Sequence, residues 1–171
     1  MAKQKTWKEK LHDSKGLPCV KEIEGKLSKR WGTGTFVIPA PIEVDELMRL
    51  IPRGRLVTIN ELRQALAEKH GTSMACPLTT GIFAWIAAHA AAEDPNLSPE
   101  KRTPYWRTLK SGGELNPKFP GGIESLKKLL ESEGHTVVQK GRKFLVQDYE
   151  NALARPDPES NPAKEFRPRK A

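Results

Sequence analysis

The stretch TPYWRTLKSGGELNPKFPGGIESLKKLLESEG, Thr103–Gly134, joins a rigid aromatic loop, a glycine-rich turn and a helix. Pro104 stiffens the start, and Tyr105 and Trp106 follow it directly. Gly112-Gly113 and Pro120-Gly121-Gly122 permit tight backbone turns. Ile123, Leu126, Leu129 and Leu130 then recur at helical spacing, and Gly134 stands where a helix C-terminal cap belongs.

Downstream, Thr136–Gln139 and Lys143–Gln147 flank Lys140-Gly141, the pattern of a β-hairpin with a basic tip. Residues 148–171 are rich in Pro, Glu, Arg and Lys and predict a disordered tail. Upstream, Glu93–Lys101 is a polar loop. Leu78–Ala92 is an alanine-rich helix with Pro77 at its first position. Phe83 and Trp85 in that helix are expected in the core. A second helix starts at the capping box Thr58-x-x-Glu61 and runs to about His70, with Gly71 as its stop. The two make a helix-turn-helix candidate. Ile42–Ile51 places Val44, Leu47, Met48 and Ile51 on one face and predicts a short core helix. Residues 1–40 are expected to be a loosely structured basic extension. Trp7, Leu11, Val20, Ile23 and Leu27 offer only short amphipathic helices there, interrupted by Gly16 and Pro18. Trp31, within Lys29–Thr35, is expected to anchor this arm to the core. The fold class is therefore mainly α with small β elements, the body of the domain being residues 41–147.

The 171-residue chain carries a formal net charge of +8. Residues 1–40 hold nine Lys/Arg against four Asp/Glu, so much of the excess lies there. A basic chain without membrane signals fits a polyanionic partner, of which nucleic acid is the commonest. No apolar run approaches the ~20 residues of a membrane helix. MAKQKTWKEK has charge but no apolar stretch, unlike a secretory signal. With two cysteines, Cys19 and Cys76, a reducing cytoplasmic setting is expected. His89 has no neighbours at metal-ligand spacing, so neither metal nor other cofactor is expected.

The opening stretch resembles the active-site segment of the methylguanine-DNA methyltransferases, whose pattern is Pro-Cys-His-Arg, a turn, Gly-Gly, and a helix ending Leu-Leu-x-x-Glu-Gly. This chain keeps Pro104, Arg107, Gly121-Gly122, Leu129-Leu130 and Glu133-Gly134, and Ile51-Pro52-Arg53-Gly54-Arg55-Leu56 resembles that family's Ile-Pro-Lys-Gly-x-Val. The methyl-accepting cysteine falls on Tyr105 and its activating histidine on Trp106. A phenol with an ordinary pKa of ~10 stays neutral at physiological pH, and an indole has one N–H and no basic nitrogen. The resemblance therefore implies no catalytic residue. It points to the subgroup of alkyltransferase-like proteins, which lack the cysteine and bind alkylated guanine for repair.

On that resemblance the fold is a winged-helix-like helix-turn-helix domain binding duplex DNA through the minor groove as a monomer, with repair proteins as further partners. Pro104, Tyr105, Trp106, Arg107, Phe119, Gly121, Gly122 and Glu133 would line the former active-site pocket. Thr79, Thr80, Gly81, Ala84, Ala88 and His89 would face DNA, and Arg53, Arg55, Lys110 and Lys118 would meet phosphates. The intercalating arginine of the family falls on Thr80, the asparagine that bonds the active-site backbone on His89, and the phosphate-contacting tyrosine on Ile59. Two other readings stand beside this one. One is a winged-helix-like nucleic-acid-binding regulator without a lesion pocket. The other is a diverged enzyme, using Cys76 or an unrelated reaction.

Overall fold

The computed structural model describes residues 3–157. Its centre is three helices: α3 (Pro41–Arg49), α4 (Ile59–His70) and α5 (Pro77–Ala92). α4 and α5 begin as the sequence predicts, and α3 begins one residue before the expected Ile42. Thr58 caps α4, and Glu61 returns a bond from the Thr58 amide (2.7 Å). Gly71 closes the helix in the left-handed region at φ 64°. Pro77 opens α5. Val44, Met48, Leu62 and Leu66 are fully buried between the helices, as are Ala84, Ala87 and Ala88 on α5. The alanines let α3 and α4 approach α5 closely.

Buried acids tie the helices at their ends. Glu43, on the first turn of α3, accepts from the Ala40 amide (2.9 Å) and meets Lys69 (2.9 Å) and His70 (2.8 Å) at the end of α4. Burial alone would raise its pKa, but these partners hold it below the usual carboxylate value. Asp45 accepts from the Thr103 hydroxyl (2.6 Å) and from Arg49 Nε (2.8 Å). That joins α3 to the start of the aromatic loop.

Three small sheets surround this bundle. β1 (Cys19–Glu22) pairs antiparallel with β2 (Thr35–Ile38), and β2 pairs parallel with β4 (Met74–Ala75). β3 (Val57–Thr58) lies parallel to β5 (Thr108–Leu109), aligning Thr58 with Leu109. β6 (Val137–Lys140) and β7 (Lys143–Val146) form the expected hairpin. Between β5 and β6, α6 (Gly122–Ser132) ends in paired backbone bonds. The Gly134 amide reaches Glu131 and the His135 amide reaches Leu130, so Gly134 caps as expected.

Residues 3–40 are not a loose arm. α1 (Trp7–His12) packs against α3 and α5, with Leu11 4% exposed in the main core. Glu93, beyond the end of α5, accepts from the Trp7 (3.2 Å) and Lys8 (3.0 Å) amides and so caps α1 from across the fold. Val37 is fully buried. α2 (Lys26–Trp31) presents Trp31 edge-on to Phe36 in a second cluster with Ile23 and Cys76. Trp31 is an anchor as expected, but it holds a built layer. Residues 148–157 of the expected tail are built into the fold. Leu56 exchanges backbone bonds with Ala152 (2.9 Å) and Ala154 (2.8 Å), and Pro156 is buried. Residues 158–171, the rest of that expectation, lie outside the described residues.

Candidate functional site

Pro104–Arg107 forms a short 3-10 turn leading into β5. Its aromatics point inward. Tyr105 and Trp106 are each 5% exposed, and Phe119 is 4% exposed. Tyr105 sits edge-on to both, with ring centroids 5.4 and 6.2 Å away. Burial pushes the phenol pKa above its ordinary value, with Arg102 opposing weakly. Tyr105 is therefore packed interior, while Pro104, Trp106, Arg107 and Glu133 border a cavity on the side away from α5.

Glu133 is the hub behind it. Its carboxylate accepts from Trp106 Nε1 (3.1 Å), Arg107 Nε (3.0 Å), Arg107 Nη2 (2.5 Å) and the Gly54 amide (3.4 Å). Arg107 Nη1 continues to the Ile51 carbonyl (2.8 Å). Burial would raise the Glu133 pKa, but the Arg107 and Trp106 bonds carry it below the usual value. A Glu that can orient a base here orients an indole and a guanidinium. The result is a clamp joining the aromatic turn, the Ile51–Gly54 turn and the end of α6. His135 is nearby with Nε2 buried and without a partner among the described residues. Burial lowers its pKa, Glu133 raises it, and Arg107 lowers it further.

One open space lies along the outer face of α5. Leu78 is 71% exposed and Ile82 42% exposed, and with Trp85 they line a groove of about 650 Å³. Ile59, Asn60 and Arg63 of α4 form one wall, and Leu109–Ser111 with Asn116, Lys118 and Phe119 form the other. That second wall is held in place from α5. Trp85 Nε1 donates to the Lys118 carbonyl (3.2 Å), and His89 Nε2 meets the same oxygen (3.1 Å). Trp7 of α1 stacks on His89 (4.5 Å) and meets Trp85 edge-on (4.7 Å). Asn60 Nδ2 donates to the Ser111 hydroxyl (3.0 Å), bridging the two walls.

The expected contact residues divide accordingly. Gly81, Lys110 and Lys118 line the groove. Thr79 is half-buried. Thr80, Ala84 and Ala88 are buried and face the core, so they cannot meet a ligand. The Thr80 hydroxyl donates to the Cys76 carbonyl (2.7 Å). His89 pins the Lys118 loop and not the Pro104–Arg107 segment. Arg53 and Arg55 are exposed, each with one nitrogen on a carbonyl, of Ser132 (3.1 Å) and Leu153 (3.0 Å). Gly121 (φ 79°) and Gly122 (φ 67°) turn the chain into α6, and a Cβ on Gly121 would lie 2.4 Å from Ser125.

Sequence reasoning missed Leu78 and Ile82 and placed Trp85 wholly in the core. A signal was present. Leu78, Ile82 and Trp85 share one helical face, opposite Thr80, Ala84, Ala87 and Ala91. A helix apolar all round must be buried on every side or leave one face open.

The fold and groove define a mainly α protein with small sheets and an open apolar site on its longest helix. No family model and no curated protein sequence matches the chain. Among solved structures it is similar to Atl1 of S. pombe in complex with damaged DNA containing O6-carboxymethylguanine. The TM-score is 0.47 at 20% identity, over 68% of this chain and 94% of that one. A second structure, S. pombe ATL in complex with DNA, gives a TM-score of 0.46 at 20% identity over the same shares.

Proposed function

We propose that this protein binds DNA without reacting with it, in the manner of the alkyltransferase-like proteins its motifs resemble, and holds a base in the groove on α5. The observation that carries this is the groove itself. It is apolar on its α5 wall, has the rings of Trp85 and Phe119 in its lining, and has Arg63, Lys110 and Lys118 around it. Stacking on aromatic side chains is worth ~1–3 kcal/mol per base, and cations beside it suit the adjoining phosphates. α4 and α5 would act as the helix-turn-helix pair, with α5 against the minor groove of a duplex. The pocket proposed here is displaced from the resemblance's expectation: Tyr105 and Trp106 support its wall from behind.

Within this reading the protein acts as a monomer in the cytoplasm and passes an alkylated guanine to repair proteins. Tyr105, with its raised pKa, stays a neutral phenol, and Trp106 spends its single N–H on Glu133. Neither replaces a thiolate and its base. Fluorescence anisotropy of plain and methylguanine duplexes across a salt series tests the proposal. Tighter binding of the modified duplex is the expected result. Equal affinity would favour the second reading, a nucleic-acid-binding regulator without a lesion pocket, which the burial of Tyr105 and Trp106 supports. An intact-mass gain of a methyl group after incubation with methylated DNA would instead revive the enzyme.

A further inference from the structure

On the far side of the aromatic turn lies a second cavity, of about 740 Å³, with no residue in common with the α5 groove. Its walls are the end of α3, the turn at Arg53, residues 99–107 and the end of α6. Five cations line it: Arg49, Arg53, Lys101, Arg102 and Arg107. Two carboxylates accompany them, Glu100 and Glu133.

The carboxylates do not neutralise this cluster. Glu133 is committed to Arg107 and Trp106. Arg49 uses Nε on the buried Asp45. Arg53 and Arg102 donate only to backbone carbonyls, of Ser132 for one and of Asp94 and Pro95 for the other. A carbonyl satisfies a donor without cancelling its charge. Lys101 and Glu100 have no ion pair among the described residues. Arg102 carries the more telling sign: its Nε is buried, lacks any hydrogen-bond partner among the described residues, and belongs to a side chain lining this cavity. An unsatisfied buried guanidinium donor is uncommon, and no carboxylate among the described residues pairs with Arg102, so the side chain that borders the cavity keeps its charge for an anion.

We infer that this cavity is a binding site for a phosphate group, separate from the groove on α5. Arginine forks match the oxygens of a phosphate in paired, charge-assisted bonds. Pro99, Pro104 and Leu129 supply an apolar wall beside the cations, which suits a phosphate borne on a nucleoside. The group comes from a free nucleotide or from a nucleic-acid strand, and both present the same chemistry here. The inference stands independently of any preference for alkylated guanine.

Isothermal titration calorimetry on the full chain at low salt decides it, with a deoxynucleoside 5′-monophosphate in one arm and a short single-stranded oligonucleotide in the other. Saturable binding is expected in at least one arm, weakened ~10-fold in Arg102→Gln and in Lys101→Gln. Glu100→Gln removes the one uncommitted carboxylate, so it should tighten the same binding, an effect that a merely structural role would not produce. Mononucleotide binding identifies the free source; oligonucleotide binding alone identifies the strand. Should Arg102→Gln fail to fold, the exposed pair Lys101→Gln and Glu100→Gln answers the question. Affinities that ignore all three substitutions in both arms, or no heat in either, overturn the site. A protein without any lesion preference that still binds nucleotide through Arg102 would sink the proposed function and leave this inference standing.

Discussion

Glu133 shows how one carboxylate can hold a fold together. It is nearly buried, paired with Arg107 and bonded to Trp106. Removing one partner of a buried pair strands the other charge, at a cost of ~3 kcal/mol or more. Glu133→Ala should therefore lower the urea midpoint strongly, and Arg107→Ala should do much the same. The pH dependence around this cluster follows from the lowered pKa values of Glu133 and His135, with Glu43 adding to the carboxylate stage. Glu133 titrates lower in the folded state. Its contribution is complete above the unfolded carboxylate value of ~4.3 and is lost as pH falls through the folded value. His135 also titrates lower when folded. Below ~6.5 the unfolded chain takes up a proton that the folded chain resists, so stability declines from there. Thermal melts should fall in two stages on acidification, and His135→Gln should remove the upper one. The residue pattern Glu133-Gly134 was visible in the sequence. Its partners were not, because Arg107 and Glu133 are brought together only when α6 folds back on the aromatic turn.

At the scale of the element, α5 is unusual in which face it buries. Ala84, Ala87, Ala88, Ala90 and Ala91 are inside, Phe83, Trp85 and Ile86 are half-buried at the flanks, and Leu78 and Ile82 are outside. Single polar replacements at exposed positions usually change stability within ~0.5 kcal/mol. Ile82→Ser should thus leave the melting temperature nearly unchanged while weakening DNA binding in anisotropy. Undiminished affinity in that variant would remove the groove from the proposed function. The limits and caps of α4, α5 and α6 could be read in advance because Thr58, Gly71, Pro77 and Gly134 act locally. Which face of α5 is inward is marked more faintly, since all sides are apolar and the one cue is that Thr80, Ala84, Ala87 and Ala91 share the small face that allows close approach to α3 and α4.

For the whole molecule, residues 3–40 are the largest departure from expectation. Their strands are four residues long, and β2 finds its second partner, β4, far along the chain. Such pairing leaves no periodic trace in a short window. Val20, Ile23 and Leu27 therefore looked like fragments of helix, although none lies in α1 and only Leu27 lies in α2. The test is direct: Leu11→Ala should destabilise by ~3 kcal/mol, as a core deletion does. Denaturation should remain a single transition, because Leu11 shares the main core with α3 and α5.

Trp85 lines the groove while its indole N–H holds the opposite wall, and Trp7 touches it edge-on. The protein thus contains a built-in optical probe. A base entering beside that ring would quench its emission. Occupancy can be followed by intrinsic fluorescence, with no dye on either molecule.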